Sequence, residues 1–201
     1  MKTFHICLLA AFLTGCMSLD PKPDPTRHFT LSARATSANE STGVSIYIGE
    51  VEIPEYLNRS NLVLRKSGNE ITISEYDRWA EPLENGITRV IAENISAHTG
   101  SRKVFTSAAG SSSSFLRVRV QVHALEPADS GIIASASWKL MNQSDQVLDS
   151  GQWKTSGDVQ LSSDSDTAAK VSAMSELLAQ LSNQISDAIL KATSSPQAAD
   201  E

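Results

Sequence analysis

An α+β domain, with two amphipathic helices packed on one face of a mostly antiparallel sheet, is the fold class this sequence predicts. Three observations carry that expectation. In Leu116–Ala124 the residues Leu116, Val118, Val120, Val122 and Ala124 alternate with Arg117, Arg119, Gln121 and His123. One face is apolar and one is wet, as in an antiparallel sheet covered on a single side. Near the C-terminus Ala168, Val171, Met174, Leu178, Leu181, Ile185 and Ile189 recur at spacings of three and four, and Leu177 and Ala188 broaden the stripe, the period of a helix with one buried face. Two strongly amphipathic helices beside five or six mostly antiparallel strands make the third, the composition of an α+β domain with its helices on one sheet face.

Taken in order, Val44–Ile53 opens the body. Val44, Ile46 and Ile48 alternate with polar or small residues, then the phase slips and Val51 and Ile53 take over; a slip at Gly49 predicts a β-bulge. Pro54 ends the strand. Residues 62–66 and 71–73 around Ser67-Gly68-Asn69 predict a hairpin. Pro82 then starts a helix, with Leu83, Ile87, Val90, Ile91 and Ile95 on one face, Asn94 and His98 at its edge, and Gly100 as the stop. Residues 116–124, 132–140 and 147–155 predict a three-stranded meander, the last turn being the polar run Asn142–Gln146. The final helix is expected from about Asp164 to Lys191. Residues 17–25, with three prolines in their second half, predict an extended tether. Ser32–Thr42 and the tail from Thr193 predict low order. The expected organisation is therefore 1–15 leader, 16–43 tether and lead-in, 44–192 a single α+β domain, and 193–201 a disordered tail.

The chain of 201 residues has a formal charge of -6. Mild acidity without a basic cluster argues against nucleic acid and against electrostatic adhesion to anionic lipid. Lys2, the apolar run Phe4–Leu13 and the small residues before Cys16 have the layout of a secretory signal. The run is well short of the ~20 residues that span a bilayer. Leu13-Thr14-Gly15-Cys16 resembles a bacterial lipobox, which implies that Cys16 becomes the first mature residue and carries the acyl chains. Three such chains make a permanent anchor where one binds only reversibly. Cys7 lies in the leader, so the mature domain is expected to hold no disulfide and no thiolate metal site.

No catalytic pattern stands out. There is no Gly-x-Ser-x-Gly, no His-Glu-x-x-His and no phosphate loop; Gly110 with Ser111–Ser114 lacks the lysine and helix a phosphate cradle needs. His28, His98 and His123 fall on unrelated elements and read as surface or edge residues. Asp164 and Asp166 lack the glycine and closing Glu of a calcium loop and suit a helix start. The chain is expected not to be an enzyme and to need no cofactor.

Two segments remain, Ile53-Pro54-Glu55-Tyr56-Leu57-Asn58-Arg59-Ser60-Asn61-Leu62-Val63 and Glu75-Tyr76-Asp77-Arg78-Trp79-Ala80-Glu81-Pro82-Leu83. Both resemble the ABC-type transport auxiliary lipoproteins, whose pattern is Pro-x-Tyr-Leu-Asp-Arg-Pro-x-(Leu/Ile)-Val followed by Arg-Trp-Ala-Glu-Pro-Leu. Arg78–Leu83 matches without change; Asn58 replaces the usual Asp and Ser60 the usual Pro. His28-Phe29-Thr30-Leu31 is a looser match to the family's Tyr-Tyr-x-Leu. The resemblance implies an accessory lipoprotein of a mammalian-cell-entry-type lipid transport system, supporting membrane integrity and docking a periplasm-spanning partner. Met17 after Cys16, with no Asp there, implies sorting to the outer membrane, facing the periplasm. Two readings of Tyr56, Leu57, Arg59, Arg78, Trp79, Glu81 and Pro82 stay open. They build the junction between strand and helix, or they form an aromatic and arginine patch for a partner. A homo-oligomer stays open too, as does the alternative of a lipid-anchored carrier that itself binds an apolar ligand. Against the carrier, 40% hydrophobic and 5% aromatic residues leave no surplus beyond two helices and a sheet.

Overall fold

The computed structural model describes residues 22–34, 42–107, 114–129, 131–155, 161 and 166–194. Cys16 and the leader, most of the tether, Gly110–Ser113, Asp164 and the tail from Ser195 lie outside the described residues. The elements are β1 (Arg27–Phe29), β2 (Ser45–Glu52), a 3₁₀ turn (Glu55–Leu57), β3 (Asn61–Ser67), β4 (Glu70–Trp79), α1 (Leu83–Thr99), β5 (Lys103–Phe105), β6 (Leu116–Ala128), β7 (Gly131–Met141), β8 (Val147–Lys154) and α2 (Thr167–Ser194).

The strand with the strictest alternation, β6, is the spine of the sheet. Along one edge it pairs with β7 in an antiparallel ladder from Arg117↔Met141 to Ala128↔Gly131, and β8 continues that meander. Along its other edge two units sit end to end. β2, with β5 beyond it, pairs with the first half of β6, and β3 reaches its last turn at Arg65↔Ala128. β4 and then β1 extend the sheet outward from β3. The α+β class holds, but the sheet is mixed rather than mostly antiparallel: β1–β4, β2–β5, β2–β6 and β3–β6 are parallel. Alternation reports which face of a strand is buried. It carries no record of the neighbour's direction, and here loops and α1 return the chain to the same end before it pairs again. The slip expected at Gly49 is a register shift between Ile48 and Val51.

Both helices lie on one face, α1 against β2 and β5, α2 against β6, β7 and β8, and against each other. Ile46, Ile48, Val118, Val120, Trp138 and Leu140 meet Ile87, Val90, Ile91, Leu178, Leu181 and Ile185 in a single core. Gly100 ends α1 in the left-handed region, φ 66°, a conformation that carries no side-chain penalty only in glycine. Asp166 caps α2 through its Oδ1, which accepts from the Ala169 N–H at 2.9 Å. At the other end the helix runs to Ser194, past the expected Lys191, because the Thr193 and Ser194 hydroxyls donate to the carbonyls of Leu190 and Lys191. Opposite Gly151 the Trp138 ring lies 2.8 Å from where a Cβ would stand, so that strand position admits no side chain.

Several expectations need correction. Ala168 is exposed, whereas Asn94, read as an edge residue, is fully buried between the helices. Its Oδ1 accepts from the Arg34 N–H at 2.9 Å and its Nδ2 lies 3.5 Å from Ser182 Oγ. Arg27–Arg34, assigned by sequence to the tether and low-order lead-in, contribute β1 and a buried Leu31. Past Leu31 the chain settles between the helices, where the Ser32 N–H donates to Ser175 Oγ. A short strand followed by a Ser/Ala stretch has no periodicity to announce it. Among the described residues no helix covers the other sheet face, where Tyr47 stacks on Phe105 and Phe115 meets both rings edge-on beside Arg117.

Leu181 is 0% exposed in the middle of α2. Leu181→Asp would bury an unpaired carboxylate at a cost of several kcal/mol, comparable with a whole domain's stability of roughly 5–15 kcal/mol. The variant is expected to lose cooperative thermal unfolding by circular dichroism; a wild-type melting curve would show that α2 does not pack as described.

Candidate functional site

The two motifs fold against each other. Pro54 turns the chain out of β2 into the 3₁₀ turn, whose Leu57 N–H donates to the Pro54 carbonyl at 2.9 Å. The second motif ends β4 and enters α1. They meet where Asn61 stands opposite Arg78 and the Trp79 N–H donates to the Ser60 carbonyl at 2.7 Å. The Ala80 N–H donates to the Phe29 carbonyl at 2.8 Å, which joins the looser N-terminal match to the same knot.

Within this knot the sequence-selected residues divide. Leu57, Trp79 and Leu83 are buried in the core, at 2%, 8% and 4% exposure. Tyr56 and Glu81 belong to polar networks. Arg59, Arg78 and Pro82 are exposed; the Arg59 Nε donates to the Tyr56 carbonyl at 3.0 Å, which steadies the turn and leaves the guanidinium at the surface.

The Tyr56 network centres on a residue the sequence reading passed over. Glu126, in β6, is 0% exposed. Its Oε1 accepts from Arg65 Nη2 at 2.5 Å and Nε at 2.8 Å, and its Oε2 from the Tyr56 hydroxyl at 2.9 Å and the Leu125 N–H at 3.0 Å. Such complete pairing is what a buried carboxylate needs. Burial first, and then the Glu126 carboxylate, push the Tyr56 phenol up to about 12, so it donates throughout the physiological range. The signal in sequence was one acid among Leu125, Pro127 and other apolar neighbours, with no clue to its partner.

Glu81 anchors the second network. Its Oε1 accepts from Arg89 Nη2 at 2.6 Å and from the Thr30 hydroxyl at 3.0 Å, while Arg89 also donates to the Leu31 carbonyl at 2.9 Å. The Arg89 guanidinium, foremost, and then Thr30 hold the Glu81 carboxyl below its usual range. A third link joins Arg27 Nη2 to Asp77 at 2.8 Å, with Thr167 at the start of α2 donating to the same carboxylate at 2.6 Å.

His98 faces Asp187, His123 faces Ser137, and His28 lies in β1 opposite Arg78. Among the described residues no group of three or more His, Cys, Asp or Glu comes together as metal ligands, and no helix is long and apolar enough to cross a membrane. A cleft of about 390 Å³ opens between β8 and α2, lined by Trp153, Lys154, Leu177 and the amides of Gln152, Gln180 and Gln184.

Residues 29–186 match the model of the ABC-type transport auxiliary lipoprotein component family. The chain is 24% identical over 148 residues to the intermembrane transport lipoprotein PqiC of Escherichia coli K12, covering 74% of this chain and 78% of that one. The PqiC of Shigella flexneri matches to the same extent. The crystal structure of protein XCC0632 from Xanthomonas campestris shares the fold, with a TM-score of 0.68 at 15% identity, over 85% of this chain and all of that one.

Removing Arg65 strands the Glu126 charge. Arg65→Ala is expected to cost about 3 kcal/mol, read as a lower urea midpoint, and an unchanged midpoint would demote this network. Because the Glu81 carboxyl is depressed in the folded protein, its ion pair contributes above the usual value of 4.5 and is lost as pH falls through the lower folded value. Glu81→Gln should therefore melt below wild type at neutral pH by at most about 1 kcal/mol, the pair being partly exposed. The gap should close in acid; one that persists would place the role of Glu81 in packing.

Proposed function

The chain belongs to the ABC-type transport auxiliary lipoprotein component family, and from that premise we propose that it is a lipid-anchored accessory of an intermembrane lipid transport system. Cys16 carries the acyl anchor at the periplasmic face of the outer membrane. The domain docks a periplasm-spanning subunit of the mammalian-cell-entry type and performs no chemistry of its own. The observation that carries this reading is the extent of the family match. It runs from β1 into α2 and includes both motifs, so it takes in most of the described fold. PqiC, named as an intermembrane transport lipoprotein, supports the same direction.

The burial pattern narrows the docking patch. Leu57 and Trp79 shape the knot from inside, Tyr56 and Glu81 hold it in register, and Arg59 and Arg78 are the members whose guanidiniums are left for a partner. Planar, weakly hydrated guanidiniums suit an acidic or carbonyl-rich partner surface. The rival, a carrier that encloses an apolar ligand, calls for an enclosed apolar chamber, whereas the cleft beside α2 is open and mixes Gln152, Gln180, Gln184 and Lys154 with Trp153 and Leu177.

Cys16→Ala should accumulate as unprocessed precursor without palmitate; normal labelling would refute the anchor. Arg59→Ala and Arg78→Ala together should reduce co-purification with the transport subunit while moving stability by less than ~0.5 kcal/mol, as exposed truncations do. Full binding by a folded double variant would send the docking surface elsewhere.

A further inference from the structure

One end of the sheet carries two turns side by side. β3 runs parallel to the end of β6 with Arg65 opposite Ala128. The β3–β4 turn (residues 67–70) and the end where β6 passes into β7, at Ala128 opposite Gly131, therefore lie at the same end of the sheet. Two of the large apolar side chains left exposed lie just behind those turns: Ile73 at 46%, opposite Val63, and Ile133 at 38%, opposite Glu126.

The N-terminus leaves toward that same end. β1 is parallel to β4, with Arg27 opposite Asp77, so the chain before Arg27 leads back along β4 toward its turn. From Asp77 to Asn69 the strand extends about 26 Å at ~3.3 Å per residue. From Arg27 back to Cys16 the proline-rich chain reaches about 34 Å at ~3.1 Å per residue. Eleven residues are thus long enough to match that stretch of β4. Bringing the β7–β8 turn to the membrane instead would require the same chain to double back along the sheet.

We propose that the two-turn end rests on the headgroup region of the bilayer that holds Cys16, with Ile73 and Ile133 as its contact side chains. The assignment rests on the reading of Cys16 as the lipidated residue. Lys66 beside the turn can lay its stem on apolar surface with the ammonium among headgroups. Lys66 also stands 3.7 Å from Glu70, so the contact is apolar rather than a charge attraction, in keeping with the acidic chain.

The test uses the full acylated lipoprotein in vesicles of phosphatidylethanolamine and phosphatidylglycerol. A nitroxide is attached to a cysteine introduced by Asn69→Cys or, at the far end, by Ser144→Cys. Both are exposed turn positions. Collision with a water-soluble nickel chelate should fall about threefold or more at Asn69 on reconstitution, as expected for entry into the interface, stay unchanged at Ser144, and be insensitive to added salt. Equal accessibility at the two sites, or protection at Ser144 alone, would overturn the orientation. Flotation of each sample reports the anchor separately: protein that fails to float refutes the lipidation reading, while floating protein with an accessible Asn69 refutes only the contact.

Discussion

A carboxylate at zero exposure sets terms that the surrounding chain has to meet. Glu126 sits near the end of β6 with four donors around it, and each is needed because an unpaired buried charge costs several kcal/mol. Arg65 comes from β3 and Tyr56 from the turn before it. Backbone pairing between β3 and β6 amounts to the register Arg65↔Ala128, so side chains hold the hairpin to the spine of the sheet. Once the hairpin is placed, β4 is placed with it, and Trp79 closes the core beside the start of α1. The Tyr56 motif is therefore first a device for satisfying one charge.

The same economy operates at the other junctions. Glu81 with Arg89 fixes the entrance of α1 to the segment after β1, Asp77 joins β1, β4 and the start of α2, and Asn94 reads the backbone of Arg34 from between the helices. Polar groups at the seams specify one arrangement of an apolar core that would tolerate several. They also leave few family residues free at the surface. The proposed docking role consequently falls on Arg59 and Arg78, whose backbones belong to the knot and whose guanidiniums reach the surface.

How far the fold could be read from residues follows from what each signal measures. Period two in Val118, Val120 and Val122, and period 3.6 in Val171, Met174, Leu178 and Leu181, report burial within an element, and those elements stand where expected. The slip at Gly49 and the stop at Gly100 report backbone geometry and were equally legible. β1 and β5 were not, because three residues carry no period. Strand direction was not, because parallel and antiparallel neighbours bury the same faces. The Glu126 network escaped because its partners lie 61 and 70 residues away in sequence. The paired motifs could be located by pattern, but which members are surface and which are core emerges only when Leu57 and Trp79 are seen to point inward.

The parallel pairing of β1 with β4 bears on load. A domain tied to a membrane at one end and to a second protein at the other is pulled whenever the two separate. Tension arriving through Lys22 runs along the β1 axis, not across it. The β1–β4 hydrogen bonds and the Arg27–Asp77 pair are then loaded together in shear, instead of one by one as in a hairpin peeled from its end. The Ser32 and Arg34 contacts between the helices stand behind them as a second catch. On the proposed lipid anchoring at Cys16, a three-residue strand thus becomes the mechanical coupling between anchor and domain.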